Sequence, residues 1–205
     1  MLIGWRCPVC DAAGAVPCAR CAAVMRAAGP VRPIPGVDRC VALLSYHGAA
    51  RELVARLKYR NHRASVDWLA VGMAQLVEHE GFDVVTWAPA APDHAKRRGF
   101  DHGELLSRAV AARSGLPVAR LIARDRGAPL TGRSAAQRHA GPPLRARAQP
   151  AIQGASVLVV DDVITTGATL SAAARVLRAC GATSVFGLAA AYTPFPSIGP
   201  TRASA

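Results

Sequence analysis

The sequence predicts an α/β fold in which a mainly parallel sheet is flanked by helices and preceded by a small cysteine-containing unit. Apolar, strand-like runs alternate with helix-patterned segments along most of the 205 residues, which is typical of parallel sheets with short right-handed crossovers. Apolar residues make up 51% of the chain, enough for a hydrophobic core. We therefore expect two units, residues 1–28 and 38–205, joined by the Pro- and Gly-rich linker 29–37.

The first unit contains two C-x2-C pairs separated by seven residues, and the predicted metal ligands are Cys7, Cys10, Cys18 and Cys21. Each pair can form a tight knuckle with both thiols on one side, and two facing knuckles give a tetrahedral site that suits zinc. A structural Zn²⁺ ribbon is the preferred interpretation because all four ligand positions are filled. Disulfides or a redox pair are the alternatives. Cys40 and Cys180 stand apart and are predicted to be ordinary buried cysteines.

The second unit alternates strands and helices until the C-terminal tail. The predicted elements are a strand in CVALLSYHG, helices in AARELVARLKYRN and from Ser65 to Gly81, a strand at 84–88, a helix at 103–113, a strand at 157–160, a helix at 168–180 and a strand at 184–192. Residues 123–150 have few large apolar side chains and many Arg, Gly and Pro. They predict a long, mobile, basic loop of the kind that often acts as a lid.

The formal net charge of +12 favours an anionic partner such as a nucleotide, a phosphate or a nucleic acid. Most of this charge lies in residues 93–147, where 12 Lys/Arg stand against 4 Asp/Glu, a balance of +8. A merely solvated basic surface is the alternative. No apolar run reaches about 18 uncharged residues, and MLIGWRCPVC lacks the apolar stretch of a signal peptide. We therefore expect a cytosolic protein without membrane insertion.

The apolar run VLVV ends in Asp161 and Asp162, and a Thr- and Gly-rich turn follows. Ligands of open α/β sheets bind beyond the carboxyl ends of strands, and backbone N–H groups at a helix N-terminus can hold a phosphate. The upstream carboxylates would repel a phosphate and suit ribose hydroxyls instead. The layout predicts a ribose 5-phosphate site whose phosphate-binding residues are Thr165, Thr166, Gly167, Ala168 and Thr169. A plain strand-to-helix turn is the alternative, and a Walker-A loop is excluded because its lysine pattern is absent.

The stretch VLVVDDVITTGATL resembles the phosphoribosyl pyrophosphate (PRPP) signature of type I phosphoribosyltransferases. The four-cysteine ribbon and the segments SYHGAARELVARLKY and PAAPDHAKRRGFDHGELL extend the similarity to the ComF family of competence-associated, phosphoribosyltransferase-like proteins. The similarity covers roughly residues 5–192. It implies a type I phosphoribosyltransferase-like fold in which Asp161 and Asp162 hold the ribose hydroxyls, with Mg²⁺ nearby.

The resemblance also implies a pyrophosphate-binding loop after residues 84–88, with its charge supplied by Lys96, Arg97 and Arg98. Lys58 and Tyr59 match the family's LKY segment, and either could reach the site. A further group resembles the family's Q…R region and would close over the ligand, with a solvated loop as the alternative. That group is Gln137, Arg138 and Arg145.

The chain departs from the family where an Asn-Gln pair is usual, since Asp101 and His102 stand there instead. His102 falls at a predicted helix start and is expected to be a surface histidine, with a phosphate or base contact as the alternative. The change puts in doubt what this loop binds.

Two hypotheses of function come from different classes. In the first, the chain binds PRPP with Mg²⁺ and transfers its phosphoribosyl group to a nitrogenous base or related nucleophile, or hydrolyses it, with Asp161 and Asp162 at the reacting sugar. In the second, it is a nucleic-acid-binding accessory factor in competence that binds single-stranded DNA and competence proteins without transferase activity. An aromatic content of 5% argues mildly against a base-stacking surface. A third, weaker hypothesis makes the ribbon a protein-docking module, and an oligomer is compatible with each.

Overall fold

A four-stranded sheet forms the centre of the molecule, and every neighbouring pair of its strands is parallel. The computed structural model describes residues 5–60, 63–90, 101–124, 141–147 and 152–194, without the side chains of 58–60 and 63. The sheet strands are β1 (Arg39–Ser45), β2 (Val84–Trp87), β5 (Ser156–Ile164) and β6 (Ser184–Tyr192), and they lie in the order β1–β6–β5–β2. The predicted α/β fold with a mainly parallel sheet is confirmed.

Helices cover both faces of this sheet, as the long apolar strands require. The helices within the described residues are α1 (Ala19–Ala23), α2 (Gly48–Arg60), α3 (Arg63–Gln75), α4 (His102–Ser114) and α5 (Ala168–Ala179). Helices α2, α3 and α4 pack on one face, around Leu158, Val160 and Leu188. Helix α5 packs on the other face, against Val157 and Val159. α3 begins two residues before the predicted start at Ser65 and ends at Gln75, six residues before the predicted end at Gly81.

The second sheet is a short antiparallel pair that the sequence did not predict. Strands β3 (Ile122–Arg124) and β4 (Leu144–Ala146) pair with Ile122 opposite Ala146 and Arg124 opposite Leu144. Ile122 is 1% exposed and belongs to the α5-side core. The predicted loop 123–150 therefore includes paired strand residues at both ends, and its residues 125–140 and 148–150 lie outside the described part of the chain.

The N-terminal segment pairs with the free edge of β1 before it enters the second unit. The Ala28 N–H donates to the Leu43 carbonyl at 3.0 Å, and the Ser45 N–H donates to the Arg26 carbonyl at 2.9 Å. Further along, Arg178 on α5 donates to both carboxylate oxygens of Asp38 at 2.6 Å. Residues 26–38 are thus fixed to the sheet and to α5. No helix among the described residues is both long enough and apolar enough to cross a membrane.

Candidate functional site

Asp161 and Asp162 lie in the second half of β5, toward the carboxyl edge of the sheet. The sequence predicts a strand that stops at Val160, but the pairs Val163–Ala191 and Ile164–Tyr192 continue the ladder with β6. Both carboxylates are half-buried, and the Asp162 N–H donates to Asp161 Oδ1 at 2.8 Å. The paired acids therefore sit where ligands of open α/β sheets bind.

The turn after β5 leads directly into the N-terminus of α5. Thr165 and Thr166 are exposed, whereas Gly167 is buried and has φ +76°. The Thr166 hydroxyl accepts from the Ala168 N–H at 3.3 Å, and the Gly167 carbonyl accepts from the Ser171 N–H at 2.9 Å. The first N–H groups of a helix have no partner within the helix and favour an anion. The arrangement can therefore hold a phosphate beside two carboxylates.

Cys40 on β1 lies near Asp161 on the same face of the sheet. Burial, and then the negative charge of Asp161, raise the pKa of the Cys40 thiol to about 12. Cys40 also packs over Gly187, since a methyl group at Gly187 would lie 2.7 Å from its Sγ. The expected ordinary cysteine is therefore a half-buried, neutral thiol beside the site. No local signal could have placed it there, because the contact depends on the strand order.

Asp101 closes the segment that leads from β2 to α4. Its Oδ1 accepts from the Gly103 N–H at 3.0 Å, which caps α4, and its Oδ2 accepts from the Ala90 N–H at 2.9 Å. Burial raises the pKa of the Asp101 carboxyl, against the backbone N–H groups of Ala90 and Gly103, which lower it. Asp101 therefore connects Ala90, which follows β2, to the first turn of α4.

His102 is buried, so the expectation of a surface histidine is wrong. It does begin α4, but it is 5% exposed and its Nε2 lies 2.7 Å from the Leu57 carbonyl of α2. This contact spans 45 residues of sequence, which is why the local pattern gave no sign of it. His102 joins the start of α4 to the end of α2, one residue before Lys58.

Several residues predicted to bind pyrophosphate or to close over the ligand fall outside the described part of the chain. They are Lys96, Arg97, Arg98, Gln137 and Arg138. Lys58 and Tyr59 lie in α2, but their side chains are likewise outside it. Arg145 is exposed on β4. Their roles at a ligand stay predictions.

The four N-terminal cysteines form a compact cluster, with all four Sγ atoms within 4.8 Å of one another. Cys10 Sγ and Cys18 Sγ are 3.7 Å apart. Tetrahedral zinc with Zn–S bonds of about 2.3 Å needs sulfurs about 3.8 Å apart, so the cluster has a suitable size. Cys7 and Cys21 are buried, while Cys10 is exposed.

Backbone groups adjust the ionisation of this cluster. Burial opposes ionisation of Cys7, but the N–H groups of Cys18, Cys10 and Val9 outweigh it and lower its pKa to about 6. The Cys18 N–H lies 3.4 Å from Cys7 Sγ. Burial and the neighbouring thiols raise the pKa of Cys21 to about 12. A metal ion that binds thiolates would remove this asymmetry, because all four ligands would then be deprotonated.

A family model of the phosphoribosyl transferase domain matches residues 103–195, somewhat less than half of the chain. The matched range includes Asp161, Asp162 and the turn that follows them. A search of curated proteins finds no match.

Several solved structures resemble the chain. Adenine phosphoribosyltransferase from Thermoanaerobacter pseudethanolicus is 17% identical, with 64% of this chain and 82% of that chain covered and a TM-score of 0.44. Glutamine PRPP amidotransferase from B. subtilis is 24% identical, with 60% and 26% covered and a TM-score of 0.40. Purine phosphoribosyltransferase from Pyrococcus horikoshii is 20% identical, with 65% and 77% covered and a TM-score of 0.40. The chain spans about a quarter of the length of the first structures it matches.

Residues 103–195 therefore resemble a phosphoribosyl transferase domain, and in this chain they include two strands of the parallel sheet, the paired acids and the turn before α5. A cluster of four cysteines, able to hold a metal ion, precedes the matched region.

Proposed function

We propose that the chain binds PRPP with Mg²⁺ and transfers its phosphoribosyl group to a nitrogenous base or related nucleophile, or hydrolyses it. The observation that carries this proposal is the β5–turn–α5 unit inside the domain match. It combines two half-buried carboxylates with a helix N-terminus, as a ribose 5-phosphate requires.

Each part of the site has a role in the proposed reaction. Asp161 and Asp162 accept hydrogen bonds from the ribose 2′- and 3′-hydroxyls, and the phosphate turn, residues 165–169, holds the 5′-phosphate. The nucleophile forms a bond to C1 while the C1–oxygen bond breaks and its electron pair leaves with pyrophosphate. The acceptor's proton passes to solvent. Carboxylate oxygens also suit Mg²⁺, which would neutralise the departing pyrophosphate when bound.

We infer that the cysteine cluster holds a structural Zn²⁺, since its size fits tetrahedral thiolate coordination and all four positions are protein ligands. The cluster ahead of the domain match supports the ComF resemblance. The place of the chain in competence, its cytosolic location and the division into units 1–28 and 38–205 stay predictions. The nucleic-acid alternative gains no support from the domain match.

Calorimetric titration of PRPP with and without Mg²⁺ tests the proposal. We expect magnesium-dependent binding to the wild type and none to the double variant Asp161→Asn, Asp162→Asn. Asp67→Asn is the matched control, because Asp67 is exposed and pairs with Arg113 away from the site. An unchanged affinity for PRPP in the double variant would contradict the proposal that Asp161 and Asp162 bind the ribose hydroxyls. The nucleic-acid hypothesis would be favoured if the affinity for single-stranded DNA fell steeply with salt concentration and did not change when Asp161 is substituted.

A further inference from the structure

We propose that Ile34, far from the phosphate turn in sequence, is a positioning residue that holds this turn in its anion-binding shape. The inference rests on the proposed function, since it takes the turn as the 5′-phosphate site. Ile34 lies in the Pro- and Gly-rich segment 29–37, outside the residues matched by the domain family. It would act through Gly167 and not by touching the ligand.

The contact between Ile34 and Gly167 leaves no space for a side chain on the glycine. A methyl group at Gly167 would lie 2.8 Å from Ile34 Cγ1, 2.9 Å from Cδ1 and 3.3 Å from Cγ2. These are the three nearest atoms to that position, so Ile34 is the side chain that lies closest to it. Ile34 is 6% exposed and Gly167 is buried. Ile34 therefore packs behind the turn, on the side away from solvent.

The conformation of Gly167 sets the direction of the N–H groups that would bind phosphate. Gly167 precedes the first residue of α5 and has φ +76°. A glycine populates both signs of φ almost equally, so a turn that depends on one sign needs an external constraint. Its carbonyl is already held by the Ser171 N–H, which fixes one side of the peptide. The buried Ile34 side chain constrains the other side.

Ile34 is itself held by contacts on both sides along the chain. Its carbonyl accepts from the Val37 N–H at 3.0 Å, which closes a turn. Arg178 donates to the Gly36 carbonyl at 3.1 Å as well as to Asp38. Ahead of it, Ala28 is bonded to β1. The segment that carries Ile34 is therefore fixed on both sides, which keeps the Ile34 side chain in contact with Gly167.

Amide hydrogen exchange of the ligand-free protein and calorimetry with ribose 5-phosphate test this role together. We expect Ile34→Ala to speed exchange at Ala168, whose N–H donates to Thr166, and at Ser171, whose N–H donates to the Gly167 carbonyl. The Kd for ribose 5-phosphate should rise about tenfold. The Kd for magnesium pyrophosphate, which does not engage the phosphate turn, should stay unchanged. Ile34→Val keeps both γ carbons and should have an intermediate effect.

Val31→Ala is the matched control, because Val31 lies in the same segment and packs on the same core. It should leave both exchange at the turn and ribose 5-phosphate binding as in the wild type. Wild-type exchange in Ile34→Ala, or equal changes in Val31→Ala, would overturn the inference. If the wild type binds neither PRPP nor ribose 5-phosphate, the proposed function is wrong. If exchange at the turn nevertheless rises in the Ile34 variants alone, the inference that Ile34 positions the turn is still supported. If Ile34→Ala does not fold, Ile34→Val against Val31→Ala decides in the same way.

Discussion

At the residue scale, Asp101 and His102 show how a departure from a family pattern can be structural. Asp101 binds the N–H groups of Ala90 and Gly103, and His102 contacts the Leu57 carbonyl. Between them they connect the end of β2, the start of α4 and the end of α2. Both side chains are committed to backbone partners, so this pair shapes the frame of the site.

Asp101 gives a prediction about pH, because burial raises the pKa of its carboxyl above the ordinary value of 3.8. A raised pKa means that the folded state binds the proton more tightly than the unfolded state. The contribution of Asp101 to stability is therefore fully present below 3.8 and is lost as pH rises through the folded value. We expect the free energy of unfolding of the wild type, relative to Asp101→Asn, to increase as pH falls through this range.

Urea denaturation of both proteins over a pH series measures this difference. Asn caps a helix about as well as Asp, so the cap to Gly103 should survive in the variant. Asp67→Asn, at an exposed position, provides the baseline. A difference that grows with rising pH would contradict the assignment of a raised pKa.

At the element scale, local sequence signals predict the strand–turn–helix unit, whereas the strand extension and the second sheet around it depend on pairing between distant segments. The Thr- and Gly-rich turn and the apolar run before it mark the site in the sequence alone. The extension of β5 to Ile164 could not be predicted, because Asp161 and Asp162 interrupt the apolar pattern and only β6 continues the ladder. The β3–β4 pair was missed for a different reason, because each strand has three residues and depends on pairing with the other.

Gly141 supplies a test of how β4 is joined to α5. It has φ +78°, and a methyl group there would lie 2.4 Å from the Ala168 carbonyl oxygen, at the first residue of α5. Gly154 has nearly the same φ, +75°, but nothing within 4 Å of the equivalent position. Gly154→Ala therefore carries only the left-handed strain, about 1–2 kcal/mol. Gly141→Ala adds a clash with backbone, and overpacking of this kind costs about 1–3 kcal/mol more.

Thermal denaturation of the two glycine variants measures the difference. We expect the lower Tm for Gly141→Ala, together with weaker binding of ribose 5-phosphate, since the clash falls on the phosphate turn. Equal Tm values would mean that residue 141 can move away from α5 at no cost.

The cysteine cluster gives a second prediction at the element scale. We expect about one zinc per chain by metal analysis, and Cys21→Ser should lose it, because Cys21 is a buried member of the four-thiol cluster. Cys180→Ser, outside the cluster, should keep the metal. Amide exchange should rise over residues 5–23 in Cys21→Ser while β5 and β6 stay protected. A metal-free, fully folded wild type would refute the structural zinc site.

At the scale of the whole molecule, the sequence predicts the alternation of elements, the four-cysteine cluster and the paired acids, but not that the segment around Ile34 packs against Gly167. The Pro- and Gly-rich segment has the composition of a linker, yet Ile34 is buried against the phosphate turn. Composition reports chain stiffness and polarity, and a single buried side chain in such a segment leaves no periodic signal. The family match begins at residue 103, so the part of the frame formed by residues 26–57 lies outside it.

Two truncations test where the second unit begins. Removal of residues 1–24 takes away all four cluster cysteines but keeps Met25, which packs on the core, and the hydrogen bonds of Arg26 and Ala28 to β1. Removal of residues 1–28 takes these as well and leaves the edge of β1 unpaired, which favours association between chains. We expect the shorter deletion to stay monodisperse with a Tm near that of the full chain. The longer one should lose several degrees in Tm and aggregate, as measured by differential scanning calorimetry and light scattering. If both deletions behave alike, the pairing of residues 26–28 adds nothing to the fold, and the unit begins at residue 29 or later.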